Sequence, residues 1–243
     1  MSKNNTFKFF EQNGFMKINL DKKYLKKYIN LKQIIKKSFF RNFKKNSFEK
    51  FHRDVSFNEI NDIRMKIIIK INKIKKINEF IYLSAKNVLS KMVGPDIIVQ
   101  KNINLAIQMP NDPSRALFHK DTPLSSDHEV VVWVPLVDCN KSMCMKMIPK
   151  KFHNKADNLL NQINELRHEK FANKYGVTIP IKFGEALIFN TDNFHYIPIN
   201  KTKNTRWSLN LRFKNLFTPY GERNLLDYYE IIDTSPISKL LDS

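Results

Sequence analysis

The sequence predicts an α+β protein in which helices pack outside an antiparallel β-barrel or jelly roll. The first observation is that apolar residues before residue 95 recur at three- and four-residue spacings with almost no glycine, as in amphipathic helices. The second is that later segments are short, rich in β-branched residues and separated by Pro, Asn, Asp and Gly, which is typical of strands and turns. The same periodicity also fits another β-rich fold.

The helical pattern defines an N-terminal region, residues 1–94, that we expect to pack on the core. It is clearest in LDKKYLKKYINLKQIIKKSFF and in FNEINDIRMKIIIKINKIKKINEFIYLSAKNVLSKM. The predicted catalytic core spans residues 95–220, with one polar helical insertion at 154–176. Residues 221–243 form a C-terminal tail. The 243 residues are enough for a single domain with a substantial core.

Six segments of the core have the pattern of strands. They are DIIVQKNINLAIQMP, EVVVWVPLVD, SMCMKMIP, GVTIPIKF, EALIFN and RWSLNLRFKNLF.

The net charge of +19 is concentrated in the N-terminal third. Residues 1–90 hold 22 Lys and Arg against 7 Asp and Glu, which leaves 20 against 16 for residues 91–243. The lysines are scattered through Asn- and Ile-rich sequence, without the basic aromatic platform or module of a nucleic-acid-binding protein. We therefore expect a solvated helical face and no nucleic-acid partner, although the charge can attract an anionic substrate.

Targeting and redox signals are weak. The first 14 residues lack the apolar core and cleavage site of a secretory signal, and lysines interrupt the apolar stretch 65–83, so no membrane span is expected. Cys139 and Cys144 have no further cysteine to complete a zinc site, and we expect buried free thiols. These features predict a cytoplasmic protein; its oligomeric state is not indicated.

One motif points to metal chemistry. His119 and Asp121 are separated by one residue, so in an extended chain both side chains point to the same side. They are either metal ligands or two polar residues where a strand meets a loop. His195, in a further short strand after the buried strand ALIF, is the best candidate for a third ligand. Two imidazoles and one carboxylate leave open positions on the opposite face of a metal, which suits Fe(II) enzymes that activate oxygen.

A second pair lies eleven residues after His195. Arg206 and Ser208 share one face of the strand TRWSLNLRF. A guanidinium offers a fixed fork of donors for a carboxylate, and the hydroxyl adds one more hydrogen bond, so the pair suits a dicarboxylate anchor. The alternative for Arg206 is a surface arginine at a strand end.

Together these motifs resemble those of Fe(II)/2-oxoglutarate-dependent dioxygenases. The residues that carry the resemblance, over about 95–220, are HKD at 119–121, WVPL at 133–136, MIP at 147–149, FGEALIFN at 183–190, His195 and RWS at 206–208. The chain looks most similar to the phytanoyl-CoA dioxygenase-like superfamily, and within it to members from carbohydrate biosynthesis clusters of the streptomycin type. The resemblance implies a double-stranded β-helix, the cupin-like jelly roll of this superfamily.

The resemblance also implies roles for individual residues. It makes His119, Asp121 and His195 the ligands of Fe(II), and Arg206 with Ser208 the anchor of the distal carboxylate of 2-oxoglutarate, with molecular oxygen as the third reactant. Trp133 matches a tryptophan that lines the cosubstrate pocket, although a tryptophan in VVVWVPL is more often a core residue. The chain departs from the family at Pro149-Lys150-Lys151-Phe152-His153, where a Pro-Gly-Ser-His turn is usual, and at Asn140-Lys141-Ser142, where Asn-Gly is common. These departures concern the mouth of the substrate pocket.

Three further polar residues are candidates for binding roles. Asn104 and Gln108 alternate along KNINLAIQMP and can face the cosubstrate pocket or solvent. Arg212, six residues after Arg206 on the same strand face, can bind an anionic substrate or pair with an acid near the rim.

The predicted activity is the oxidation of a small molecule by Fe(II) and 2-oxoglutarate, with release of succinate and carbon dioxide. Asp121 favours hydroxylation or another oxidative outcome over halogenation, because related halogenases carry a small residue at that position. The expected substrate is a sugar, nucleotide sugar or glycan from surface-polysaccharide or secondary-metabolite biosynthesis. Two alternatives stay open: a cupin-type metal protein without oxygenase activity, such as a sugar isomerase or hydrolase, and a basic binding protein with a vestigial pocket.

Overall fold

The computed structural model describes residues 3–40, 47–114, 117–122, 124–160, 162 and 164–240. In this part of the chain, the helices are α1 (Lys3–Asn13), α2 (Leu25–Phe39), α3 (Ile60–Asn72), α4 (Ile77–Val93), α5 (His153–Leu160), α6 (Glu165–Tyr175), α7 (Leu225–Tyr228) and α8 (Pro236–Lys239). The strands are β1 (Phe15–Asn19), β2 (Ile97–Gln100), β3 (Asn104–Gln108), β4 (Val130–Pro135), β5 (Lys146–Met147), β6 (Val177–Thr178), β7 (Glu185–Asn190), β8 (His195–Tyr196), β9 (Arg206–Asn215) and β10 (Tyr229–Asp233). The expected mixture of helices with an antiparallel sheet is confirmed.

Most strands belong to one seven-stranded antiparallel sheet. Its order is β1-β7-β4-β9-β2-β10, and β3 also pairs with β9. The ten residues of β9 are long enough to pair with β3 through their first half and with β2 through their last three residues. Strand β9 is therefore the central strand, and it carries Arg206, Ser208 and Arg212.

A small second sheet has the order β6-β5-β8. An isolated antiparallel bridge between His119 and His195 adds the segment around His119 to its β8 edge. The strand-like segments SMCMKMIP and GVTIPIKF contribute only two sheet residues each, since a 3-10 turn occupies 141–143 and β6 ends at Thr178. Helices α5 and α6 occupy the predicted insertion at 154–176.

Two strands correct the predicted organisation. The region 1–94 is not purely helical, because β1 pairs with β7 in register from Phe15 with Phe189 to Asn19 with Glu185. The segment 221–243 is not only a tail, because β10 pairs with β2 through Tyr229 and Gln100. Each strand has five residues, too few for a period-two pattern to stand out from the surrounding Lys- and Ile-rich or polar sequence.

The large sheet has two different faces, as the alternation along β9 shows. Its inner face, defined by Arg206, Ser208, Asn210 and Arg212, is polar along β9. That face is turned toward the small sheet, since Phe189 of β7 lies 5.1 Å from His195 between ring centroids. The outer face, defined by Trp207, Leu209, Leu211 and Phe213, is apolar and fully buried. The N-terminal helices pack on this outer face. They therefore hold in place the strands whose opposite face carries Arg206, Ser208 and Arg212.

Trp207 is the largest side chain in that contact, and its removal tests how much the helical layer stabilises the sheet. Its ring centroid lies 4.8 Å from those of both Phe48 and Phe51, and its Nε1–H donates to the Phe48 carbonyl at 3.0 Å. Trp207→Ala should lower the free energy of unfolding in urea by about 3–5 kcal/mol, because a large buried cavity forms. Phe217→Ala is the control: its side chain is 74% exposed, and its effect should stay within about 0.5 kcal/mol. Equal effects of the two substitutions would contradict this packing.

None of the described helices is long and apolar enough to span a bilayer.

Candidate metal centre and cosubstrate pocket

The two histidines of the motif are brought together by backbone pairing. The His119 N–H donates to the His195 carbonyl at 3.1 Å, and the His195 N–H donates to the His119 carbonyl at 2.9 Å. The ring centroids are consequently 4.2 Å apart. Directly opposed residues in an antiparallel pair share one face, so both imidazoles project to the same side.

Each imidazole is held in one tautomer by a backbone carbonyl. His119 Nδ1 lies 2.7 Å from the carbonyl oxygen of Leu117, and His195 Nδ1 lies 3.0 Å from that of Asn193. A carbonyl oxygen only accepts, so Nδ1 must carry the proton in both rings. Nε2 of each ring is left with a free lone pair, as a metal ligand requires.

Asp121 completes the cluster from the same segment as His119. Its Oδ1 lies 3.8 Å from His119 Nε2, and its backbone N–H donates to the Thr191 carbonyl at 2.9 Å. The candidate ligand atoms of His119, Asp121 and His195 all lie within 4.8 Å of one another. Within the described residues, this is the cluster of His, Cys, Asp and Glu that can hold a metal ion.

The electrostatics keep Asp121 and His195 in their metal-binding forms. Burial raises the pKa of Asp121, but Arg212 and the two histidines outweigh burial and hold it below its usual value of 3.8. Burial, and after it the repulsion that a protonated His195 would meet from a protonated ring of His119, lowers the pKa of His195 to about 4. At neutral pH the carboxylate is therefore charged and the His195 ring neutral, so metal binding displaces no proton from either.

The cluster is open on one side. The side chain of His119 is 34% exposed and that of Asp121 15% exposed, whereas His195 is buried. Three protein ligands with one accessible side leave room for exogenous ligands. A purely structural site would instead close its coordination shell.

Arg206 and Ser208 are buried on the inner face, not at the surface. Arg206 is 3% exposed and Ser208 fully buried. Arg206 donates from Nη1 to the Met143 carbonyl at 3.4 Å, but its Nε and the Ser208 Oγ have no hydrogen-bond partner among the described residues. Burial lowers the pKa of Arg206, and no carboxylate of the described chain pairs with the guanidinium to offset this effect. An isolated buried guanidinium is costly, and an anionic ligand would offset that cost.

The remaining candidates lie near this face in different settings. Asn104 and Trp133 pair with Asn210 from opposite sides, so all three share the inner face, with Trp133 buried and Asn104 exposed. Gln108 pairs with Arg206 and is 2% exposed. The roles of Asn104, Gln108 and Trp133 toward a cosubstrate stay predictions.

Arg212 lies against the metal cluster. Its Nη2 donates to Asp121 Oδ2 at 2.8 Å, and its Nη1 lies 3.3 Å from Gln100 Oε1 and 3.4 Å from the Tyr228 hydroxyl. The sequence left two possibilities for Arg212: it binds an anionic substrate, or it pairs with an acid. The contact with Asp121 is of the second kind. A contact between Arg212 and an anionic substrate stays a prediction. The ion pair with Arg212 occupies Asp121 Oδ2 and leaves Asp121 Oδ1 on the side of His119. Arg212 therefore determines which carboxylate oxygen is available to bind a metal.

Three residues near the cluster were not anticipated from the sequence. Gln100 and Tyr228 hold Arg212 from β2 and from the C-terminal segment, and no sequence signal marks either. Asn210 has a buried Oδ1 without a hydrogen-bond partner among the described residues. Its position midway between Ser208 and Arg212 at period two could have identified it as an inner-face residue.

Removing the Arg212 side chain tests its positioning role. Arg212→Ala should weaken Ni(II) or Fe(II) binding about 10- to 100-fold, because residues that orient a metal ligand contribute that much to affinity. Isothermal titration of the metal-free protein measures the change. Arg167→Ala is the control, since Arg167 is exposed on α6 and its guanidinium contacts Gln162 and not Asp121 or the residues that hold Arg212. Unchanged affinity in folded Arg212→Ala would contradict the role.

No protein-family model and no curated protein matches the sequence. Several solved structures match the fold. A structure described as a non-heme monooxygenase, ThoJ in complex with nickel, superposes with a TM-score of 0.60 at 15% identity, covering 94% of this chain and 83% of the other. The epimerase SnoN in complex with Fe3+, alpha ketoglutarate and nogalamycin RO gives 0.51 at 13% identity, covering 90% and 85%. HygX from Streptomyces hygroscopicus, with nickel and 2-oxoglutarate bound, gives 0.54 at 9% identity, covering 97% and 98%.

Identities of 9–15% show the fold and not the reaction. One of these structures is described as a monooxygenase and another as an epimerase, so one fold supports more than one reaction. The chain has the fold of non-heme enzymes that bind iron or nickel with 2-oxoglutarate, and its His119, Asp121 and His195 can hold a metal.

Proposed function

We propose that the protein is an Fe(II)/2-oxoglutarate-dependent oxygenase that hydroxylates a carbohydrate or carbohydrate-derived small molecule in surface-polysaccharide or secondary-metabolite biosynthesis. The proposal rests on the combination of two features. One is the open His-Asp-His cluster, and the other is Arg206, which is buried on the inner face of the large sheet without an acidic partner among the described residues. Within the same proposal, the two sheets form the double-stranded β-helix of the phytanoyl-CoA dioxygenase-like superfamily.

The donor set fits Fe(II). His119 and His195 present Nε2, and Asp121 presents Oδ1, since the other polar atom of each side chain is held by Leu117, Asn193 or Arg212. Two neutral imidazoles and one carboxylate with open positions are typical of Fe(II) sites that activate oxygen. Bound iron and 2-oxoglutarate would supply the oxidising power for a C–H bond, with succinate and carbon dioxide as products.

The chain itself would contribute binding, orientation and exclusion of water. Arg206 would bind the distal carboxylate of 2-oxoglutarate, and Ser208 would donate a hydrogen bond to it. Both side chains are buried, so the interaction is strong and poorly screened. Trp133, buried on the same face, would form an apolar wall of the pocket.

The cupin-type isomerase or hydrolase is less well supported, because such an enzyme binds no dicarboxylate cosubstrate and therefore does not explain the buried Arg206. A vestigial pocket is also less well supported, since selection for the fold alone does not explain the cost of burying Arg206 without an acid.

A screen for succinate release tests the proposed function. The protein, loaded with Fe(II) and 2-oxoglutarate in air, would be offered free sugars, nucleotide sugars and lipid-linked glycans. We expect one substrate class to stimulate succinate formation well above the substrate-free rate, with matching oxidation of the substrate by mass spectrometry. Oxidation of an unrelated class alone would contradict the carbohydrate assignment.

A further inference from the structure

A cavity of about 320 Å³ lies between helix α3 and the edge of strand β3, and one of its walls is Arg206. Its other polar side chains are Asn61, Arg64, Gln108, Asp112 and Ser114. Ile197, two residues after His195, also lines it, which places the cavity beside the strand that carries a candidate metal ligand. The volume is in the range of small-molecule binding sites.

Gln108 identifies one chemical requirement of a ligand in this cavity. Its Nε2 donates to the Pro198 carbonyl at 2.8 Å, and because that carbonyl only accepts, the assignment of nitrogen and oxygen in the amide is fixed. The free atom is therefore Oε1, an acceptor without a hydrogen-bond partner among the described residues. 2-Oxoglutarate, as a dianion, has no donor to offer. A ligand that satisfies Oε1 must carry a hydroxyl or amine.

Arg64 supplies the second requirement. Its Nη2 donates to Asn61 Oδ1 at 2.8 Å and its Nη1 contacts the Leu105 carbonyl at 3.4 Å, which holds the guanidinium at the cavity wall. No acid in the described chain lies within ion-pair distance of it. Asp112 also lines the cavity but is 3% exposed, and its Oδ1 accepts from the Ser114 N–H at 2.8 Å. Arg64 is thus held in place and makes no ion pair with the described residues, although the Asp112 side chain lines the same cavity and offers a second acceptor.

Neither carboxylate of 2-oxoglutarate requires Arg64 as a binding partner. Under the proposed function, one end of the cosubstrate binds the metal and the other binds Arg206 with Ser208. A second arginine in the same cavity is left for another molecule. Its fork of donors suits a carboxylate or phosphate.

We propose that this cavity is the substrate subsite and that it selects a hydroxylated small molecule with an oxyanion, such as a uronate or a sugar phosphate. Arg64 binds the oxyanion, with Asn61 holding the guanidinium in place. Gln108 and Asp112 accept hydrogen bonds from hydroxyl groups. The proposal rests on the proposed function for its claim that this molecule is the substrate, and it assigns the N-terminal helical layer a part in recognition.

Binding of four probes to the metal-free protein tests the subsite without any activity. Glucuronate and glucose 6-phosphate should bind, and uncharged glucose at least about tenfold more weakly, as measured by calorimetry. Arg64→Gln should weaken binding of both anionic probes at least about tenfold. Lys66→Gln, which removes the same charge from an exposed position of the same helix, should have no effect. Gln108→Leu should weaken glucuronate binding but leave binding of sulfate, an oxyanion without a donor, unchanged.

Three results would overturn the proposal: no binding of either anionic probe, equal binding of glucose, or equal binding by Arg64→Gln. A fourth is loss of 2-oxoglutarate affinity in Arg64→Gln with Fe(II) present, since Arg64 would then belong to the cosubstrate site. If the wild-type protein fails to bind Fe(II) with 2-oxoglutarate but binds the probes through Arg64, the oxygenase function fails while the anion subsite stands.

Discussion

His119→Ala and His195→Ala should each abolish binding of Fe(II) together with 2-oxoglutarate. Either substitution removes one of three protein ligands and leaves a two-ligand site. Even residues that only orient a metal ligand contribute 10- to 100-fold to affinity, so loss of a ligand should exceed about 100-fold. Anaerobic titration of Fe(II) in the presence of 2-oxoglutarate measures this as loss of the visible charge-transfer band of the keto-acid complex.

His128→Ala is the matched control for the two ligand variants. His128 also lies beside an aspartate, with Nε2 at 3.6 Å from Asp127 Oδ1, but no third ligand joins them among the described residues, and the His128 side chain is 49% exposed. It should retain the full band. A folded His195→Ala protein with wild-type affinity would show that the metal, if bound, lies elsewhere.

Arg206→Met should weaken 2-oxoglutarate binding by about 30-fold or more without destabilising the ligand-free protein. Truncating one partner of a buried charged hydrogen bond costs about 2–5 kcal/mol, which corresponds to an increase of about 30- to 4,000-fold in the dissociation constant. In the ligand-free protein, however, Arg206 is a buried cation without an acidic partner among the described residues. Replacing it with an apolar side chain of similar length should leave the melting temperature equal or higher.

Arg53→Met is the control for both measurements, because Arg53 is the exposed last residue of the 3-10 helix Phe48–Arg53 and belongs neither to the metal cluster nor to the lining of the Arg206 cavity. It should change neither 2-oxoglutarate affinity nor stability beyond about 0.5 kcal/mol. Unchanged cosubstrate affinity in Arg206→Met would reject the assignment of Arg206. A large drop in its melting temperature would instead indicate a structural role for the guanidinium.

Much of the candidate site follows from spacing along extended chains. His119 and Asp121 at i and i+2 project to one side, and the same rule places Arg206 and Ser208 on one face of β9. These features are local, so a single sequence is enough to predict them.

The features that were not predicted depend on contacts between distant segments. Strand β1 pairs with β7 across about 170 residues of chain, and the Asp121–Arg212 ion pair joins residues 91 apart. The position of Arg64 beside Gln108 and Arg206 likewise depends on how α3 packs against the edge of β3. The spacing of apolar residues carries no information on such pairings. It indicates which face of a helix or strand is buried, but not which other segment packs against that face.

The most direct test of the oxygenase assignment is the anaerobic addition of Fe(II) and then 2-oxoglutarate to the wild-type protein. We predict that the visible charge-transfer band of a bidentate keto-acid complex appears only when both are present, and that succinate does not reproduce it. Well-folded protein that gives no band under these conditions would contradict the claim that His119, Asp121 and His195 form a centre for iron and 2-oxoglutarate.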